Sequence, residues 1–120
     1  MVKDGTYLIG TCAIITKYDI KIIYQSHLYK IRVNDNSIGI DPFILLAILS
    51  SPLLIRQIRS KQFTQDIIDS LGERINELVL PIPKSKKKRE EITTIVKKVI
   101  GDRIEARELS KKARHMVIQS

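Results

Sequence analysis

Hydrophobic and polar residues change their spacing along this chain, and each spacing predicts a different kind of element. From Tyr7 to Ile15 the run is rich in β-branched side chains and predicts a strand, with Gly10 as a bulge or a point of close backbone approach. Lys17-Tyr18-Asp19 reads as a turn. A second strand is expected at Ile20–Tyr24. A third is expected at His27–Val33, where polar and apolar residues alternate as on a sheet with one wet face. Asn34-Asp35-Asn36-Ser37 has the composition of a turn.

The spacing then becomes helical. Asp41 can cap a helix whose first position suits Pro42, and Phe43 to Leu49 is apolar almost all round, as in a buried helix. Ser51-Pro52 repeats the start signal for a second short helix from Leu53 to Lys61. There Leu54, Ile55 and Ile58 fall on one side and Arg56, Arg59 and Lys61 elsewhere. Gln62 to Asp66 reads as a loop, and Ile67 to Leu71 as a short helical turn ended by Gly72. Asn76 to Ile82 reads as a last strand, which Pro81 and Pro83 mark as an edge or an ending.

From about Ser85 a long helix is expected, reaching roughly 45–50 Å at 1.5 Å per residue. Ile92, Ile95, Val99, Ala106, Leu109, Ala113 and Met116 follow alternating steps of three and four, with Asp102 as a polar break beside Gly101. That is a heptad seam suited to pairing with another helix. Val96, Ile100 and Ile104 widen the apolar stripe in the first half, which predicts that this half packs on the rest of the chain. Together the elements predict an α+β fold: a small, mostly antiparallel sheet with packed short helices and a long projecting C-terminal helix. Residues 1–83 would form the α+β part and residues 84–120 the helix.

Charge sharpens this division. The chain of 120 residues carries 21 Lys and Arg against 13 Asp and Glu, a formal net charge of +8. Residues 1–83 hold nine cations and eight anions, a net of +1, whereas residues 84–120 hold twelve and five, a net of +7. The positive field belongs to the helix, and such a field attracts nucleic acid, an anionic membrane or an acidic partner. Hydrophobic residues make up 43%, a globular composition, and with no Trp the core must rest on Ile, Leu and Val. The longest apolar runs are too short to span a bilayer and no signal peptide is visible, so no membrane partner is expected and the cytoplasm is the expected location.

Catalytic signatures are missing. Cys12 is the only cysteine and sits in a strand-like run, as a small buried residue would. His27 and His115 are far apart with no metal-ligand company, and His27 could face Ser26 without a third partner. No Gly-rich phosphate loop is present. Glu90 and Glu91 read as first-turn residues favoured by the helix dipole. No metal, no cofactor and no catalysis by this chain alone are expected. A nuclease fragment is disfavoured because carboxylates and lysines are not clustered.

Several segments, in order, resemble the target-recognition domain of type I restriction–modification specificity subunits, and the similar domain of some adenine-N6 DNA methyltransferases. They are Asp4-Gly5-Thr6-Tyr7-Leu8-Ile9-Gly10, the stretch from Tyr24 to Arg32 with its Ser-x-x-Leu-x-x-Ile-Arg spacing, Ile40-Asp41-Pro42 through Leu49 with Ser51-Pro52, and Val79-Leu80-Pro81-Ile82-Pro83 before the long helix. The chain departs from the family in the basic Lys84-Ser85-Lys86-Lys87-Lys88-Arg89 after that junction, and in lacking a glycine near Lys61-Gln62-Phe63-Thr64-Gln65. It resembles the C-terminal part of such a domain.

The resemblance implies a non-catalytic module that reads double-stranded DNA for a methyltransferase subunit, with restriction subunits as further partners. In the family, two such helices pair antiparallel and space two half-sites. Phosphate contacts would come from Lys86, Lys87 and Lys88, and base or backbone contacts from Lys17, Lys21, Lys61, Gln62, Thr64 and Gln65, since basic and amide side chains can form bidentate contacts with guanine or adenine. The alternative is an assembly module that forms a homodimer through the seam Ile92, Ile95, Val99, Ala106, Leu109, Ala113 and Met116, with no DNA role of its own.

Overall fold

A computed structural model describes residues 1–5, 8–19, 21–23, 26–65 and 68–120. Asp41 and Ser51 start the two helices that build the core. Helix α1 (Pro42–Leu49) is capped by Asp41, whose Oδ1 accepts from the backbone N–H of Phe43 at 2.8 Å and of Ile44 at 2.9 Å. Pro42 takes the first position, where a missing N–H costs nothing. Helix α2 (Pro52–Lys61) repeats the arrangement, with Ser51 Oγ accepting from Leu54 N–H at 3.4 Å. The two helices bend by 63° at Ser50-Ser51. Ile44, Ile48 and Leu49 of α1 and Leu54 of α2 form the buried cluster, with Cys12, Ile40, Leu78, Ile82 and Ile92 half-buried against it. Ile58 and Leu71 are also buried.

Helix α3 (Lys86–Gln119) runs unbroken for 34 residues, through Gly101. Its first half packs on α1. Its half-buried apolar positions are Ile92, Val96, Ile100 and Ile104, a row in steps of four. Such rows form the ridges by which helices cross obliquely. Past Ile104 every residue of α3 is exposed, so the second half projects. Among the described residues no single helix is long and apolar enough to cross a membrane; α1 and α2 together have the length and composition but are bent.

The expected α+β fold with a small antiparallel sheet does not form. The described residues are mainly helical. Strand is confined to a two-stranded antiparallel hairpin of β1 (Phe63–Gln65) and β2 (Ile68–Ser70), paired Phe63 to Ser70, Thr64 to Asp69 and Gln65 to Ile68. These paired strands stand where a loop was expected at Phe63–Gln65 and a helical turn at Ile68–Ser70. Tyr7, Ile20, Tyr24, Asp66 and Ile67, on which parts of those expectations fall, lie outside the described residues, as do Thr6 and Gln25.

Each expected strand has other partners. Leu8–Gly10 is a turn. Gly10 and Thr11 hydrogen-bond Val2, while His27 and Tyr29 bond Lys3 and Met1. Among the described residues only isolated bridges result, Val2 with Leu28 and Asp4 with Ser70. The expected turn at Lys17–Asp19 is one turn of 3-10 helix, and Ile22 N–H donates to Asp19 O. In place of the strand at Asn76–Ile82, a 3-10 helix covers Gly72–Glu77. Beyond it, the backbone N–H and C=O of Val79 bond the carboxamide of Gln57 on α2, at 2.9 and 2.8 Å. A side chain has taken the place of a neighbouring strand.

Candidate nucleic-acid interface

The root of α3 is built by Ser85 and Arg89. Ser85 Oγ caps the helix by accepting from Lys88 N–H at 3.3 Å. Arg89 Nη1 donates to the carbonyls of Pro83 at 2.8 Å and Lys84 at 2.7 Å, which fixes the approach segment against the first turn. Lys84, Lys86, Lys87 and Lys88 are left exposed around it. Lys86 pairs with Glu90 at 3.8 Å and Lys88 with Glu91 at 3.5 Å, both in water. Exposed pairs of this spacing are worth only about 0.3–0.5 kcal/mol. Lys84 and Lys87 have no ion-pair partner among the described residues. The first turn of α3 holds no acidic residue. Glu90 and Glu91 thus sit one turn further on than expected, as partners for lysines.

Beside this root lies an open cleft of about 270 Å³, between the start of α1 and the first turns of α3. Asp41 is fully engaged there: besides capping α1 it accepts from Thr93 Oγ1 at 2.9 Å. Lys86, Arg89 and Lys97 bring positive charge to the same cleft, and Lys97 Nζ lies 5.3 Å from the centre of the Phe43 ring.

The other expected DNA contacts stand elsewhere. Lys17 and Lys21 are exposed near the 3-10 turn, and Lys17 Nζ lies 5.3 Å from the Tyr18 ring centre. That turn is tied to α3 by Arg107 and Asp19, about 30 Å along the helix from Lys86 at 1.5 Å per residue. Lys61 Nζ is committed to Glu77 Oε2 at 3.0 Å, which lowers the Glu77 pKa. Gln62 caps α2, with its Oε1 buried and unpaired among the described residues. Thr64 and Gln65 lie on β1, and their side chains fall outside what is described. The structure therefore brings Lys86, Lys87 and Lys88 together and sets the remaining candidates apart.

The pairing seam divides as well. Ile92 is half-buried against the α1 cluster and belongs to the chain's own core. Ile95, Val99, Leu109 and Met116 are 44–63% exposed, and Ala106 and Ala113 are exposed too.

One polar cluster has no signal in the sequence. His27 Nδ1 and Asp4 Oδ2 are 2.8 Å apart, and Ser70 Oγ donates to Asp4 Oδ1 at 2.5 Å. Both bonds hold the Asp4 pKa below its ordinary value, the Ser70 bond most. The hydroxyl meets the carboxylate and not the imidazole, so no nucleophile–base pair is formed. Burial raises the Cys12 pKa, and its thiol donates to Gly10 O at 3.3 Å. Among the described residues no three His, Cys, Asp or Glu side chains could together hold a metal ion. No family model, no curated protein and no solved structure matches this chain.

Proposed function

We propose that this chain is a non-catalytic DNA-recognition module of a restriction–modification system. It would work in the cytoplasm and direct a methyltransferase or endonuclease partner. The system is suggested by the sequence resemblance; the contact with DNA is supported by the root of α3. Four lysines surround a helix N-terminus where the backbone dipole is already positive and no first-turn acid offsets it. Cations there cost the helix up to about 0.3–1 kcal/mol each. A facing row of phosphates turns that cost into binding energy.

The test is fluorescence anisotropy with a mixed-sequence duplex at several salt concentrations. Affinity should fall steeply with salt. Replacing Lys86, Lys87 and Lys88 by Ala should flatten the log–log slope by about 2–3, near 0.9 for each phosphate no longer neutralised. A wild-type chain that ignores duplex DNA at low salt would rule the reading out.

A second reading, assembly through α3, is favoured by a separate observation. On the edge beside the exposed seam, Glu91, Lys98, Glu105 and Lys112 alternate in sign every seven residues, and all four are exposed. In an antiparallel pair centred between Lys98 and Glu105, Glu91 faces Lys112 of the second copy and Lys98 faces its Glu105. A parallel pair would instead set Lys98 against Arg103. The polar break at Asp102 lies near that centre, bonded to Lys98 of its own helix at 3.1 Å.

A further inference from the structure

A second open cleft, of about 290 Å³, lies between the segment Cys12–Thr16 and the middle of α3. Its apolar lining includes Leu46 of α1 and Ile100 and Ile104 of α3. Its rim is charged unevenly. Arg107 is already bound to Asp19 at 3.0 Å, whereas Arg103 is exposed and has no partner among the described residues. Lys17 and Lys21 flank Asp19 in sequence and are exposed. Next to them in sequence, Ile15, Tyr18, Ile22 and Ile23 are 55–96% exposed. The surface is thus an apolar slot with one unpaired cation in its lining, Arg103, and two exposed lysines within two residues of Asp19 on its wall. Among the described lining residues Asp19 is the one carboxylate, and Arg107 already pairs with it.

We infer that this cleft docks an acidic amphipathic segment of a partner protein, one apolar side chain entering the slot and carboxylates meeting Arg103, Lys17 and Lys21. Charge complementarity selects this occupant. A concave apolar floor gives nothing to a phosphate backbone, which needs cations and donors throughout. A membrane surface is met best by a convex apolar face, and the slot is concave. An amphipathic helix in a groove satisfies both parts of the surface at once. The inference does not depend on DNA binding at the root of α3.

The probe is a fluorescein-labelled helical peptide with Leu at positions i, i+3, i+4 and i+7 and Glu on its other face, titrated against the full chain by anisotropy. Amide shifts in ¹⁵N spectra locate the bound peptide. Binding should move the amides of Cys12–Thr16 and Ile100–Arg107. Arg103→Glu, at an exposed position, should weaken it by about tenfold. Ala13→Trp, which fills the slot from its exposed wall, should abolish it while leaving the far-ultraviolet circular dichroism unchanged. Equal binding of a peptide with Lys in place of Glu, full binding by either variant, or no binding of the acidic peptide would each overturn the proposal. So would displacement of those same amides by duplex DNA, or by phosphatidylserine vesicles, with no response to the peptide.

Discussion

Gly10 is held at a φ of +85°, and a methyl group on it would lie 2.9 Å from Ile58 Cδ1. Ile58 is buried on α2, and its Cγ2 would also lie 3.3 Å away, so turning Cδ1 aside does not clear the contact. Two costs therefore meet in Gly10→Ala: about 1–2 kcal/mol for a side chain in left-handed backbone and about 1–3 kcal/mol for overpacking. Urea unfolding should show a destabilisation of roughly 2–5 kcal/mol. A change no larger than that of an ordinary surface substitution would mean that the turn at Leu8–Gly10 does not rest on α2. The glycine was legible in the sequence as a point of close approach. Its partner was not, because the two residues are 48 positions apart and share no local pattern.

Helix starts were the most legible elements, and strands the least. Asp41-Pro42, Ser51-Pro52 and Ser85 each carry their own capping chemistry, so the local sequence decides the outcome. A strand is decided by whatever lies beside it. The stretch before Pro81 has the composition of a strand, yet its neighbour is the side chain of Gln57. The β-branched runs near the N-terminus meet short backbone segments and helices, so isolated bridges replace a ladder.

On α3 the heptad pattern was readable, and so was the packing of the first half through Val96, Ile100 and Ile104; that Ile95 and Val99 stay outside was not. A seam stepping by three and four and a row stepping by four share Ile92 and then diverge, and α1 selects the second. What remains outside is the exposed stripe Ile95, Val99, Ala106, Leu109, Ala113 and Met116. Leu109→Asp, at a position 58% exposed, should leave the unfolding free energy within about 0.5 kcal/mol of wild type, as surface changes do. It should also convert a dimer to a monomer in analytical ultracentrifugation. A wild-type chain that sediments as a monomer removes the pairing role from α3.

Across the whole molecule, α3 is held on α1 by aliphatic packing and the Thr93–Asp41 hydrogen bond, and on the N-terminal segment by an ion pair. The aliphatic packing is insensitive to pH, whereas the ion pair is not. Asp19 accepts from the Thr16 hydroxyl at 2.7 Å, the Thr16 backbone N–H at 3.0 Å and Arg107 Nη1 at 3.0 Å. These partners lower its pKa from 3.8 to about 2, the Thr16 bonds contributing most. A carboxylate depressed in the folded state adds stability above its unfolded pKa, near 3.9, and loses that contribution as pH falls through the folded value. The tether is therefore intact at neutral pH and weakens between about pH 4 and pH 2.

A carbon-detected titration of the Asp19 carboxyl should give a midpoint near 2. Thr16→Val should raise it more than Arg107→Ala does, because the hydroxyl bond is the larger cause. A wild-type midpoint at the ordinary value would show that Asp19 is unengaged and the N-terminal segment untethered. The reverse order of the two variants would make the helix, and not the local turn, the main holder of the charge.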